Sequence, residues 1–338
     1  MTSYGLLCLA DHLPDPVTGQ SITQSERFQR IVELTVRAEQ AGFERVGIGE
    51  HHFGHYIVPS PFVLLGAIAA RTKKIRLGTS VTLLAGLDPV RVAEDLATLD
   101  ALSNGRAELT VARGVEINTQ VAFGITEQCQ LRSRFDENLR LLLRLLSEEQ
   151  VTWSGRFRSP LQEVRLEPRP IQKPHPPLWV GGGLSTISCD LAVELGLPLS
   201  LPSLFCFPED YLPILERYRS AMSAAQRAEQ VAVAYPSYVH VARTSQQARQ
   251  RFRPYLENYV QAASGCRTSQ GRPTDYESLL RGAALCGSPA EIVDGIQRID
   301  AQLGLQHHYL MPDLGGLPAS VLDEVMELLG SEVLPRLR

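Results

Sequence analysis

Residues 178–196 read LWVGGGLSTISCDLAVELG, and this stretch decides the fold. Leu178 to Gly181 is a short apolar run of strand length. Three glycines, 181–183, turn the chain, Ser185 opens a helix that continues to Leu195, and Gly196 stops it. A strand, a tight turn and a helix form the repeating unit of a parallel α/β sheet, because a parallel neighbour requires a crossover.

The same unit recurs on both sides. Toward the N-terminus, strands are expected at Tyr4–Ala10, Arg45–Gly49, Ile75–Leu83 and Ala107–Ala112, with helices near 25–41, 60–71, 88–103 and 133–147. Gly42 stops the first helix, Asp88-Pro89 opens the third, and Ser133 with Asp136 and Glu137 forms a capping pattern for the fourth. Toward the C-terminus, strands are expected at Leu199–Phe205, Val231–Val241 and Gln306–Leu310. Helices fall near 209–227, 245–260 and 318–334 after them, with a further helix near 288–302 before the last strand.

Val151–Phe157 and Val164–Glu167 predict a hairpin insertion of about 151–170 before strand five. The segment 262–285, with Gly, Ser, Thr and Pro and no clear period, reads as a lid after strand seven. Eight units without a break in composition predict one α/β domain over 1–338, a closed (β/α)8 TIM barrel. A doubly wound open sheet is the competitor, but no G-x-G-x-x-G follows strand one.

Composition narrows the function. A 44% hydrophobic chain fills a large core, and a net charge of −4 leaves no electrostatic footprint for nucleic acid or an anionic membrane. No apolar run approaches the ~20 residues of a membrane span. The start lacks a basic-then-apolar signal pattern, and the six cysteines show no C-x-x-C spacing. A cytoplasmic enzyme for small molecules, without a metal site, is expected. Glu50-His51-His52 is no helical H-E-x-x-H, and neighbouring strand residues face opposite ways.

Chemistry in such a barrel sits at the C-terminal strand ends. Those ends carry Asp11-His12, Glu50-His51-His52, Arg113-Gly114, and the glycine-serine run 181–188. Ser185 and Ser188, with helix N–H groups behind the glycines, suit an anion, and Arg113 is placed to reach it from strand four. An ordinary glycine turn with a serine cap explains the same residues. His51 reads as a proton donor or acceptor facing the barrel mouth, its ring held by a carboxylate, or as a structural histidine under a loop. His307-His308 read as structural, and Trp153 and Trp179 as packing residues.

The motifs then become familiar. Ala41-Gly42-Phe43 through Gly47-Ile48-Gly49-Glu50-His51-His52-Phe53 resembles the strand-two signature of bacterial luciferase-like flavin monooxygenases. Leu77-Gly78-Thr79-Ser80-Val81, Leu102-Ser103-Asn104-Gly105-Arg106, Val111-Ala112-Arg113-Gly114 and Pro176 to Gly182 follow in the family's order. The resemblance covers nearly the whole chain and implies a barrel, usually a homodimer. It also implies use of reduced FMN from a separate flavin reductase, with O2, to oxygenate an organic substrate.

Carried over by position, His51 lies by the flavin ring and is grouped with Glu50 as catalytic, Glu50 either orienting it or serving the fold. Arg113 takes the FMN phosphate; Val115, Leu184 through its backbone, Ser185 and Ser188 contact the flavin. Ser80–Val81 falls where the family often has a non-proline cis peptide beneath the ring. Glu116 and Leu204-Phe205-Cys206-Phe207 depart from relatives that carry an aromatic residue or tryptophan there. An aromatic or polyketide-like metabolite is therefore expected in place of a long-chain aldehyde. Two other readings are an F420-dependent (deazaflavin) hydride-transfer enzyme and a flavin-binding protein without turnover.

Overall fold

The computed structural model describes residues 2–114, 117–125, 127–202, 207–263 and 275–338. The first half runs β1 (Ser3–Cys8), α1 (Gln24–Ala41), β2 (Arg45–Ile48), α2 (Pro61–Arg71), β3 (Arg76–Thr79), β4 (Thr82–Leu83), α3 (Pro89–Leu102) and β5 (Ala107–Ala112). Then come α4 (Ile117–Ala122), α5 (Gln128–Ser147), β6 (Val151–Trp153), β7 (Leu161–Val164), β8 (Leu178–Gly181), α6 (Thr186–Leu195) and β9 (Leu199–Ser200). The chain ends with α7 (Leu212–Ala224), β10 (Val233–Val241), α8 (Ser245–Ala263), α9 (Tyr276–Arg281), β11 (Ala284–Gly287), α10 (Pro289–Leu303), β12 (His307–Met311), α11 (Ala319–Leu328) and α12 (Leu334–Leu337).

Parallel pairing passes from β1 through β2, β3, β5, β8, β9, β10 and β12 and returns to β1, closing the barrel. Strand three is split: β3 pairs with β2, β4 pairs with β5, and the Ser80–Val81 peptide between them is cis. Local signals place the helices. Thr23 and Glu26 form a capping box before α1, and Gly42 closes it at φ 96°. Asp88 caps α3 through the Val90 amide, Ser288 and Glu291 box α10, and β6 and β7 form the expected antiparallel hairpin.

Two expectations are corrected. Ser133 lies inside α5, which starts at Gln128, because buried Leu131 extends the apolar stripe one turn upstream of Phe135. The end of the expected lid segment carries regular structure. Asp275 caps α9, which buries Tyr276 and Leu279, and β11 pairs with β10 from Tyr238↔Ala284 to Val241↔Gly287. Residues 264–274 of that segment, and 203–206 of the expected sixth strand, lie outside the described residues.

One core shell lies between strands and helices, with Leu6, Val46, Leu77, Leu109 and Val180 buried against Ile31, Leu65, Leu96 and Leu142. The barrel's N-terminal end is closed by charge. Glu108 on β5 accepts from Arg45 on β2 at 2.7 Å and also from Arg76 on β3. The Arg45–Glu108 pair skips one strand, so both side chains face the interior. Arg106 clamps the C-terminus of α2 by donating to the Ala69 and Thr72 carbonyls at 3.1 and 3.2 Å, where the helix dipole favours a cation.

Candidate active site

Strand parity fixes the catalytic candidates. Because Arg45 faces inward, the period of two brings Gly47, Gly49 and His51 to the same side, while Glu50 falls on the other with His52. Glu50 is 3% exposed, its Oε1 accepts from His52 Nε2 at 2.9 Å, and its Oε2 accepts from the Leu83 amide at 3.0 Å. The carboxylate therefore holds His52 and the end of strand three, so of the two roles left open for Glu50, orienting His51 or serving the fold, these bonds belong to the second. Adjacent residues of an extended chain cannot share a face.

His51 is held differently. Its amide donates to Val58 O at 3.0 Å, closing a loop that folds Tyr56 back onto the imidazole. The two rings stack with centroids 4.0 Å apart and planes inclined by 17°. The loop is tied to the end of β1 by His12 N–His55 O at 2.6 Å and Ile57 N–Ala10 O at 3.2 Å.

The cofactor candidates gather around strands three, four and five of the barrel. A Cβ on Gly181 would lie 3.0 Å from Ala112 Cβ and 3.3 Å from Val81 Cγ1, so only glycine lets these three strand ends meet this closely. Gly182 similarly admits α6, since a Cβ there would sit 2.9 Å from Ser188 Cβ. Ser185 is exposed and caps α6 by accepting from the Ile187 amide at 3.4 Å.

Arg113 follows Ala112 and lines a small pocket with Glu50, Leu83, Leu87, Gln120 and Phe123. Among the described residues its guanidinium has no carboxylate partner. Leu184 lines a second pocket, of about 250 Å³, with Thr186, Asp210 and Arg217. Ser80, Val81, Arg113 and Leu184 thus sit on neighbouring strand ends, but no hydrogen bond joins Arg113 to Ser185 or Ser188. Val115 and Glu116 lie outside the described residues.

A third group was legible only at Asp11, one of the strand-end candidates. Asp11, 2% exposed at the end of β1, accepts from the Gly315 amide at 2.8 Å, and Arg27 reaches its backbone carbonyl at 2.9 Å and Asp313 at 2.6 Å. Burial pushes the Asp11 carboxyl up to about 6 against the opposing pull of Arg27. Beside it, Tyr56 Oη donates to Tyr259 Oη at 3.2 Å, and Tyr238 meets Tyr259 edge to face at 5.7 Å. Burial raises the Tyr238 and Tyr259 phenols well above their ordinary range. These tyrosines come from a loop, a strand and a helix far apart in sequence, so no local motif announces them.

His12 turns to Ile22 O at 2.7 Å. His308 is structural, held between Asp300 at 2.6 Å and Ser237 at 2.9 Å, and His307 packs on Trp179. Among the described residues no three His, Cys, Asp or Glu side chains converge as metal ligands, and no helix is long and apolar enough to cross a membrane.

The family model described as luciferase-like monooxygenase matches residues 2–307. The chain belongs to this family. The oxygenase component of the flavin-dependent trigonelline monooxygenase of Acinetobacter baylyi is 25% identical over 233 residues, covering 67% of this chain and 63% of that one. An F420-dependent glucose-6-phosphate dehydrogenase of Kineococcus radiotolerans is 35% identical over 163 residues, 46% of this chain and 47% of that one. The crystal structure of a monooxygenase from Streptomyces bottropensis matches over 100% of both chains with TM-score 0.87 and 27% identity. The chain spans about half the length of the curated relatives it matches. The chain is thus similar both to a protein named for flavin and to one named for F420.

Proposed function

We propose that this chain is a cytoplasmic, homodimeric monooxygenase that takes FMNH2 from a separate reductase and uses O2 on an aromatic or polyketide-like metabolite. One oxygen atom enters the substrate, the other leaves as water, and FMNH2 becomes FMN. The observation that carries this reading is Arg113. It is a cation without a carboxylate partner among the described residues, placed one strand from the α6 N-terminus and lining the same pocket as Glu50.

The residues present fit such a cofactor. Arg113 and the N–H groups opening α6 suit a phosphate, and the glycine at 181 lets the end of β8 close against Val81 and Ala112. Ser80, Val81, Val115, Leu184, Ser185 and Ser188 are assigned the remaining cofactor contacts. Reduced flavin, when bound, supplies the two electrons that activate O2. His51 gives and takes the proton at its ring nitrogen, and Glu50 keeps the loop in register by holding His52 and the Leu83 amide.

The similarity to an F420-dependent dehydrogenase favours one second reading, hydride transfer on the same barrel. Supplying FMNH2 and ¹⁸O2 with a panel of phenolic and polyketide-like compounds tests both. One labelled oxygen in a product supports oxygenation. Product formed with reduced F420 and without O2 supports hydride transfer, and bound flavin without any product marks a binding protein.

A further inference from the structure

The proton-transfer reading of His51 requires its ring to be held, and Glu50 does not hold it. The Tyr56 ring lies nearly parallel to the imidazole, 4.0 Å away at 17°, a geometry that fixes the imidazole's plane. Tyr56 is itself held, because its loop is tied to the end of β1 at His55 and Ile57, and its backbone bridges Asp11. Its hydroxyl reaches Tyr259 Oη at 3.2 Å, and Tyr259 is 1% exposed on α8, packed against Tyr238. Two elements distant in sequence, the loop after β2 and α8, are therefore joined through Tyr56, which stacks on the imidazole.

We propose that Tyr56 is a positioning residue for His51, anchored by Tyr259, so that α8 and the end of β2 hold the imidazole as one unit. The proposal rests on the reading of His51 as the proton-transfer group. Tyr56 touches neither Arg113 nor the α6 serines, so its loss leaves cofactor binding intact while loosening the ring that works beside it.

The test compares Tyr56→Phe, Tyr56→Leu and Tyr259→Phe with the parent, after thermal melts show each folded. In flavin-free protein, the ring-proton resonances of His51 are followed by ¹H–¹⁵N correlation. Stacking imposes a ring-current shift that Tyr56→Phe keeps and Tyr56→Leu abolishes, with broadened lines as the imidazole gains rotamers. In turnover, Tyr56→Leu lowers kcat about three- to tenfold, in line with aromatic-pair energies, with KM within about twofold. Tyr56→Phe recovers most of kcat. Tyr56→Phe and Tyr259→Phe each remove the same hydroxyl contact, so the double variant falls no further than either single one.

His51 resonances unchanged in Tyr56→Leu overturn the proposal, as does an equal loss in the Phe and Leu variants. The two readings fail separately. If the resonances shift as expected while His51→Ala keeps parental turnover, positioning stands and the catalytic reading of His51 falls. Unchanged resonances with an inactive His51→Ala remove the positioning role alone.

Discussion

The Glu50 carboxylate accepts Nε2–H of His52 at 2.9 Å on one oxygen, and its other oxygen accepts the Leu83 amide. A buried acid thereby welds the end of strand two to the restart of strand three, directly beside the Ser80–Val81 peptide. Glu50→Ala leaves the Leu83 amide and the His52 ring without this acceptor at a 3% exposed site, which costs about 1–3 kcal/mol. Glu50→Gln keeps an amide oxygen as acceptor and costs less. Urea unfolding of the three proteins measures the difference, and an Ala variant as stable as the parent contradicts the welding role.

His51→Ala separates chemistry from binding. The imidazole stacks on Tyr56 beyond the end of β2, and His51 does not line the pocket shared by Glu50 and Arg113. FMNH2 affinity is expected to stay within a few-fold, while product formation falls by about 10²–10⁴ as general acid–base help is lost, with O2 diverted to H2O2. Parallel assays of product and peroxide read this. Oxygenation at the parental rate removes His51 from the chemistry.

Arg113→Ala weakens FMN more than riboflavin, which has no phosphate. A charge-assisted contact of about 1.5–3 kcal/mol corresponds to roughly a ten- to hundredfold loss for FMN alone. Flavin-fluorescence titrations give both constants. Equal losses for the two ligands place the phosphate elsewhere.

Two histidines, His240 and the partly buried His307, contribute to the pH dependence of stability in acid. His240 is fully buried on β10, stacked on Phe252 at 5.0 Å, and burial, then Arg251, pushes its imidazole down to about 4. Burial likewise holds His307 at about 4. With the folded value below the ordinary 6.5, each ring contributes stability that is fully present above pH 6.5 and is lost as pH falls through 4. The slope approaches about 1.4 kcal/mol per pH unit for each proton. Asp11 works in the opposite direction. Its carboxyl, raised to about 6, stabilises most below its ordinary 3.8 and loses that contribution as pH rises through 6. His240→Phe should flatten the urea-midpoint profile between pH 6.5 and pH 4; an unchanged slope contradicts the assignment.

The barrel was legible because its signals are local. Asp88-Pro89, Ser288 with Glu291, and Gly42 each act within one helical turn, and the run 178–196 folds as a unit read from its own residues. The start of α5 was misplaced because Ser133 offers a plausible cap, and burial of Leu131 against the core outweighs it. The short strand β11, which pairs with the C-terminal half of β10 beside the closed path, was missed because that partner lies more than forty residues earlier, and no periodicity reports the pairing. At the site, the identities at strand ends were readable but their alliances were not. Glu50 stands next to His51 in sequence, yet pairs with His52 because of strand parity, while the imidazole's neighbour Tyr56 finds its anchor 203 positions away.

The most direct test of the central claim, that the barrel binds reduced FMN and controls its reaction with O2, needs no substrate. Protein and FMNH2 are mixed anaerobically and then with aerated buffer, while flavin absorbance and H2O2 are followed in a stopped-flow instrument. With the parent protein, reoxidation should follow a time course distinct from that of free FMNH2, and Arg113→Ala should return it to the free course. A course identical to free FMNH2 with the parent protein, alongside tight binding of reduced F420, would contradict it.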